Sequence, residues 1–273
     1  MGRRTMPLWR ALMDGGHVHD RAQAESLILA GSVFVNGQPA AYAGEPVKVD
    51  ARIAVKGSER KYVGKGGLKL EGALRHFQID VTGRIALDAG ASTGGFTDCL
   101  LQHGAAQVYA VDVGYGQLAG RLRQDPRVIC MEKMNIGQLE PTVLQPKPSL
   151  ATLDLSYLSL KQAIPIAGAL LEPDGQMLCL VKPLFEAIDP RVRRTGVITS
   201  PDVYRDILTD LVQSVRELGY APSGVTHSPV TGNRGTLEFF LHLFLRGNEG
   251  MRPLDEDIDQ AVKVALAVEK YRK

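Results

Sequence analysis

From residue 84 the chain repeats one rhythm: an apolar run of strand length, a glycine-bearing turn, then a segment of helical periodicity. No other feature restricts its fold as much. RIALDAG, QVYAVDVG, RVICME, SLATLDLS and GQMLCLVKP read as strands, and GGFTDCLLQHG, YGQLAGRLRQD, SLKQAIPIAGALL and residues 201–218 read as helices. Strands separated by helices pair in parallel through crossovers, which predicts a mostly parallel α/β sheet with helices on both faces. Two further strands, around 219–228 and 235–245, follow without a helix between them, so the seven-stranded sheet is expected to end in an antiparallel pair. Residues 255–272 read as a helix packing on this body.

The first ~55 residues have a different pattern. LWRALMDGG and DRAQAESLILAG read as two short amphipathic helices, the second ending at Gly31 in a C-cap position. SVFVNGQPA alternates around an Asn36-Gly37 turn and reads as a tight hairpin, and VKVDARIAV supplies more strand. The expected layout is a small α+β domain over 1–57, a linker at 58–66, an α/β domain over 67–250 and a helical tail over 251–273.

Composition narrows the class. A chain of 273 residues, 44% hydrophobic and 23% charged, is ordinary for a globular protein. Cys99, Cys130 and Cys179 show neither metal-ligand spacing nor a disulfide framework, so no metal site and a reducing cytoplasm are expected. The basic N-terminus lacks an apolar signal core, and the most apolar run, FFLHLFL at 239–245, is only strand-length. Charge is uneven: residues 1–75 carry 12 Lys/Arg against 7 Asp/Glu, whereas 76–273 carry 20 against 23. A basic end on a mildly acidic body suits a polyanionic partner.

LDAGASTGG occupies the carboxyl end of the first α/β strand, where open sheets of this kind bind ligands. Gly90, Gly94 and Gly95 allow close backbone approach, and Asp112, ending the next strand, is placed to accept from ribose hydroxyls. The spacing Gly90-x-Ser92-x-Gly94-Gly95 departs from the dinucleotide fingerprint, and an acidic residue, Asp88, precedes it. An acid there is unfavourable beside a pyrophosphate and favourable beside a sulfonium or an ammonium. That tips the reading from NAD to S-adenosylmethionine. GKGGLK at 64–69 lacks the Lys-Ser/Thr pair of a phosphate loop and is set aside.

Four ionisable residues then need a use. Asp154 ends the fourth strand, Lys182 ends the fifth, Glu238 lies within the apolar last strand, and Lys69 precedes the first. Lysine and glutamate are rarely buried without partners. A methyl donor is already activated, so an enzyme must position an attacking oxygen and help remove its proton. On this reading Lys182 acts as base or stabilises the developing alkoxide, Asp154 faces the methyl and sulfonium, and Glu238 with Lys69 orients the lysine and the ribose.

At this point the residues resemble a known family. The larger region is similar to the FtsJ-like ribose 2′-O-methyltransferases, whose Lys-Asp-Lys-Glu tetrad falls in order on Lys69, Asp154, Lys182 and Glu238. YVGKGGLKLEGAL, LDAGASTGGFTD, DVGYGQL, DPRV, DLSYLSL and LVKPLFE resemble blocks of the TlyA family, whose members carry the name haemolysin A; the likeness runs from about 8 to 245. DRAQAESLILAGSVFVNG resembles the alpha-L RNA-binding motif, with Arg21 where such modules contact phosphate. The resemblance implies a Rossmann-like class I fold and S-adenosylmethionine-dependent methylation of cytidine 2′-hydroxyls in ribosomal RNA. Large-subunit rRNA is the commoner substrate, with small-subunit rRNA added in some members. Leu184, Thr236 and His19-Asp20 depart from the family's pattern.

The candidate cofactor-binding set is Asp88, Gly90, Ser92, Thr93, Gly94, Gly95, Phe96, Asp112, Val113, Asn135 and Asp154. The candidate RNA-binding set is Arg3, Arg4, Arg10, Arg21 and Lys65, with Arg191, Arg193 and Arg194 on a loop over 188–198. Ribosomal subunits are the expected partner, with no membrane and no protein partner evident. Three alternatives stay open: an RNA binder with a vestigial cofactor site, a membrane-lysing protein, and a nicotinamide oxidoreductase.

Overall fold

The computed structural model describes residues 5–268 other than 16, 19, 30, 56–60, 188–189, 199, 233–234 and 247–251. They fall in two compact units that divide after Arg60.

The smaller unit runs β1 (Thr5–Pro7), α1 (Leu8–Asp14), α2 (Arg21–Leu29), β2 (Val33–Val35), β3 (Gln38–Pro39), β4 (Pro46–Lys48) and β5 (Ile53–Val55). β1 pairs with β4, and β2 is the centre of a three-stranded sheet between β3 and β5. The hairpin forms as expected because Asn36 and Gly37 both take positive φ, 51° and 84°, as a two-residue turn with right-handed strand twist requires. Leu8, Leu12, Ala24, Ile28 and Val33 close a small core beneath the helices. β1, too short to show periodicity, is an addition to the sequence expectation.

The larger unit begins with α3 (Lys65–Phe77) and continues β6 (Ile85–Ala89), α4 (Gly95–Gln102), β7 (Gln107–Asp112), α5 (Gly120–Arg123), β8 (Val128–Glu132), β9 (Leu150–Leu153) and α6 (Leu160–Leu170). It closes with β10 (Gln176–Val181), α7 (Pro183–Glu186), α8 (Pro190–Thr195), α9 (Pro201–Glu217), β11 (Ala221–His227), β12 (Phe239–Phe244) and α10 (Asp255–Ala267). The seven strands stand in the order β11-β12-β10-β9-β6-β7-β8. β6 through β10 pair in parallel where they touch, whereas β12 is antiparallel to both β10 and β11. The strand order turns at β6, which opens a crevice at the carboxyl ends of β6 and β9. Two apolar cores lie in this unit, one including Tyr109, Leu153, Ile164 and Phe239, the other Leu70, Phe96, Leu100 and Phe240. Ile258, Ala261, Val262 and Ala265 of α10 join the first, so the tail packs on the body.

Three differences from the sequence expectation matter. The end of the segment read as linker belongs to the larger unit: Tyr62 is buried and Lys65 already starts α3. The helix expected over YGQLAGRLRQD shrinks to the four residues of α5, because the Gly116, Gln117 and Leu118 amides bond to Glu132 instead of continuing a helix. The loop expected over 188–198 contains the short helix α8. Among the described residues no helix is long and apolar enough to cross a membrane, and no three His, Cys, Asp or Glu side chains converge to hold a metal.

Candidate active site

The turn after β6 is built by backbone that few residues tolerate. Gly90 has φ +90°, and a Cβ there would meet the Asp154 carbonyl oxygen at 2.5 Å, so this glycine lets β6 and β9 meet at their ends. Ser92 takes φ +49° without being glycine, and its amide points to Asp112 Oδ2 at 2.8 Å. Asp112 Oδ1 accepts from the Gly114 amide at 2.6 Å. Two backbone donors thus fix the Asp112 carboxylate at the end of β7.

Asp88 does not face this turn's cavity. It is fully buried, accepting from Thr97 Oγ1 at 2.6 Å and Thr152 Oγ1 at 3.1 Å. The acid read as a partner for a cationic ligand instead ties β6 to α4 and β9, and burial pushes its carboxyl up to about 7. Gly94 is similarly internal: a Cβ on it would strike Leu122 Cδ1 at 2.3 Å. Asn135 turns its carboxamide onto the Gly137 amide at 2.9 Å, outside the cavity lining.

The cavity itself, about 750 Å³, lies at the carboxyl edge of the sheet. Of the candidate cofactor-binding set, Gly90, Ser92, Thr93, Gly95, Phe96, Asp112 and Val113 line it. Lys69, Asp154, Lys182 and Glu238 line it too. They form two ion pairs. Lys182 Nζ lies 2.5 Å from Asp154 Oδ1 and donates to Ser156 Oγ at 2.8 Å and the Leu155 carbonyl at 3.1 Å. Lys69, 4% exposed, is paired with Glu238, 6% exposed. The expectation that Glu238 orients Lys182 is corrected: Asp154 holds Lys182, and Glu238 holds Lys69.

Strand direction explains how four distant residues meet. β9 and β10 run in parallel and deliver Asp154 and Lys182 just beyond their carboxyl ends. β12 runs the other way, with Phe239 opposite Val181, so the residue before its start, Glu238, arrives at the same edge. Glu238 therefore precedes the last strand instead of lying within it. Lys69 comes from α3, whose glycine-rich start packs on α4: a Cβ on Gly95 would meet the Gly67 nitrogen at 3.0 Å.

That packing gives a role to the glycine run set aside in the sequence. Gly64, Lys65 and Gly66 line the cavity. Lys65, expected among RNA-binding residues near a linker, sits on the cavity wall and donates to the Thr231 carbonyl at 3.4 Å. The signal for α3 was present in the helical spacing of Leu70, Ala73, Leu74 and Phe77, masked by the preceding glycines. Ser156, Gln117 and the half-exposed rings of Tyr157 and Phe185 also line the cavity without having been singled out. Leu184 and Thr236, the two departures near the tetrad, are both lining residues.

The other basic candidates are spread out. Arg10 is exposed on α1, and Arg21 on α2 is paired with Glu25 at 2.9 Å and lies 5.9 Å over the Trp9 ring. Arg194 is exposed on α8. Arg3, Arg4 and the side chains of Arg191 and Arg193 lie outside the described residues.

Chemically, the cavity offers a carboxylate fixed beside a glycine turn and, beside it, one buried Lys–carboxylate pair, Lys69–Glu238, and one partly exposed pair, Lys182–Asp154, able to orient a hydroxyl and stabilise an oxyanion. Comparisons with known proteins agree with that chemistry. Residues 62–244 match the FtsJ-like methyltransferase family. YqxC of Bacillus subtilis (strain 168), named as a candidate rRNA methyltransferase, is 41% identical over 265 residues, spanning 96% of this chain and 94% of its own. The 16S/23S rRNA (cytidine-2′-O)-methyltransferase TlyA of Mycobacterium tuberculosis is 39% identical over 254 residues, 92% of this chain and 95% of its own. Among solved structures, a candidate hemolysin from Streptococcus thermophilus superposes with a TM-score of 0.74 at 34% identity, covering 97% of each chain.

Proposed function

The chain belongs to the FtsJ-like methyltransferase family, and from that premise we propose that it methylates the ribose 2′-hydroxyl of cytidine in ribosomal RNA, using S-adenosylmethionine. The observation that carries the reading is the meeting of Lys69, Asp154, Lys182 and Glu238 on the cavity that also contains the Gly90 turn and Asp112. The 39% identity to a 16S/23S rRNA (cytidine-2′-O)-methyltransferase, over almost the whole of both chains, supports the substrate class.

S-adenosylmethionine, when bound, supplies an electrophilic methyl group. Asp112 and the Ser92–Gly95 backbone are the groups that would hold it, and a cavity of about 750 Å³ has room for it beside a nucleotide. Lys182 acts on the substrate oxygen. Its ammonium has three protons, and Asp154, Ser156 and the Leu155 carbonyl provide three acceptors. An incoming 2′-hydroxyl takes over one of these positions and is held at Nζ, where the cation offsets the charge that grows on oxygen as its proton passes to solvent water and the oxygen bonds to the methyl carbon. Asp154 keeps Nζ in place. The Lys69–Glu238 pair, almost wholly buried, gives the neighbouring wall a fixed dipole and orients the ribose. The smaller unit, with Arg10 and Arg21, and Arg194 of the larger one serve the RNA backbone in this proposal. The proposed setting is the cytoplasm, in keeping with the free thiols of Cys99, Cys130 and Cys179.

The test is methyl transfer from labelled S-adenosylmethionine to isolated ribosomal subunits, with 2′-O-methyl mapping of the product. Wild-type protein is expected to label large-subunit rRNA at a cytidine ribose. Lys182→Ala should lose about 10²-fold or more of the rate, the usual contribution of a positioned proton-handling group, while still binding cofactor. Intact transfer by Lys182→Ala would remove that lysine from the mechanism.

A further inference from the structure

Glu132, the last residue of β8, takes no part in the chemistry above, yet its side chain is only 7% exposed and surrounded by donors. One carboxylate oxygen accepts from the Gly116 amide at 2.8 Å. The other accepts from the Gln117 and Leu118 amides at 3.0 and 3.2 Å and from Arg123 Nη2 at 2.8 Å. Successive amides converging on one anion form a backbone nest, here filled from within the chain. Gly116, at φ +69°, lets them converge. The Arg123 hydrogen bond, followed by the Gly116 amide, pushes the Glu132 carboxyl down to about 2, so the acceptor stays charged at any working pH.

The middle residue of the nest faces the cavity. Gln117 lines it, and its Oε1 accepts from Ser92 Oγ at 3.2 Å. Its carboxamide lies across Gly114, where a Cβ would meet Gln117 Nε2 at 2.2 Å and Asp112 Oδ1 at 2.9 Å. Glu132 thus fixes the 116–118 turn, the turn presents Gln117, and Gln117 stands beside Ser92 and Asp112. We propose that Glu132 is a positioning residue for S-adenosylmethionine: through the 116–118 turn it holds Gln117 beside Asp112 at the nucleoside end of the cofactor, setting affinity without touching the ligand. The inference rests on the methyltransferase reading above and adds an affinity determinant to it.

Glu132→Gln keeps the shape but turns one acceptor oxygen into a donor facing amide donors. In full-length protein, calorimetric titration with S-adenosylmethionine and S-adenosylhomocysteine should show Kd raised about tenfold, a loss of about 1.4 kcal/mol. The KM for S-adenosylmethionine should rise in parallel, with kcat on ribosomal subunits within twofold of wild type. Glu132→Asp, which keeps the charge, should recover part of the affinity. Arg123→Gln, which leaves the carboxylate and its amides, should change Kd less than threefold. Should Glu132→Gln prove too unstable to titrate, Gln117→Ala carries the test and must raise Kd severalfold. Wild-type affinity in either Glu132→Gln or Gln117→Ala overturns the inference, as does a fall in kcat with KM unchanged. A wild-type protein that binds neither ligand overturns the methyltransferase reading itself.

Discussion

Asp88 and Lys182 are both charged residues near strand ends, and packing gives them opposite fates. Asp88 is sealed against Thr97 and Thr152, and its carboxyl is raised from 3.8 to about 7 by burial. A raised carboxyl means the folded chain binds a proton that the unfolded chain has already released. Stability from this group is therefore complete below about pH 3.8, declines as pH climbs towards 7, and levels off above it. Urea midpoints measured from pH 5 to 8 should fall for wild type more than for Asp88→Asn. Equal slopes would show that Asp88 is not the group responsible. Lys182, by contrast, stays at the cavity, and Ser156 is one of its three acceptors. Ser156→Ala removes one hydrogen bond of about 1 kcal/mol, so kcat should drop about fivefold with cofactor KM unchanged. The sequence made the tetrad legible because a buried lysine or glutamate is conspicuous in an apolar run. Which way Asp88 turns was not legible, since an acid at a strand end reads the same whether it meets a ligand or two threonine hydroxyls.

Among the elements, α3 was the least visible and is one of the most constrained. Its buried stripe of Leu70, Ala73 and Leu74 has ordinary helical spacing, but the glycines before it imitate a flexible link. Those glycines are packing positions. A Cβ on Gly67 would lie 2.2 Å from Tyr62 Cγ, and Tyr62 itself is 2% exposed. Gly67→Ala should therefore cost about 1–3 kcal/mol through overpacking, read as a lower thermal midpoint. Because the same helix holds Lys69, methyl transfer should fall as well. Gly83→Ala is the control: its φ of +71° costs backbone strain, but no atom stands within 4 Å of the added Cβ. The strands were read well, since β6 to β10 are largely apolar runs with α-helices between all neighbouring pairs in sequence but β8 and β9. α5 was overread for a physical reason, because helical periodicity in 115–119 could not reveal that Glu132 competes for the same amides.

At the scale of the molecule, the chain divides into two compact units after Arg60, and residues 1–60 carry 8 Lys/Arg against 6 Asp/Glu. If the smaller unit grips RNA phosphates through Arg10 and Arg21, changing both to alanine should weaken rRNA binding over the whole salt range. It should also flatten the dependence of log K on log salt by about one for each phosphate that is no longer neutralised, with cofactor affinity unchanged. An unaltered salt slope would place the RNA grip elsewhere. One consequence of the sheet order concerns synthesis. Of the seven strands of this sheet β12 is the last made, yet it lies between β10 and β11, both already translated. Until residues 239–244 leave the ribosome, those two strands have no neighbour to join them, and Glu238 has no fixed place opposite Lys69. A nascent chain stopped short of Phe239 should therefore carry the donor turn and Lys182 without a finished site. On this order of synthesis, the site's two ion pairs stand together only after residues 239–244 have emerged and closed the sheet.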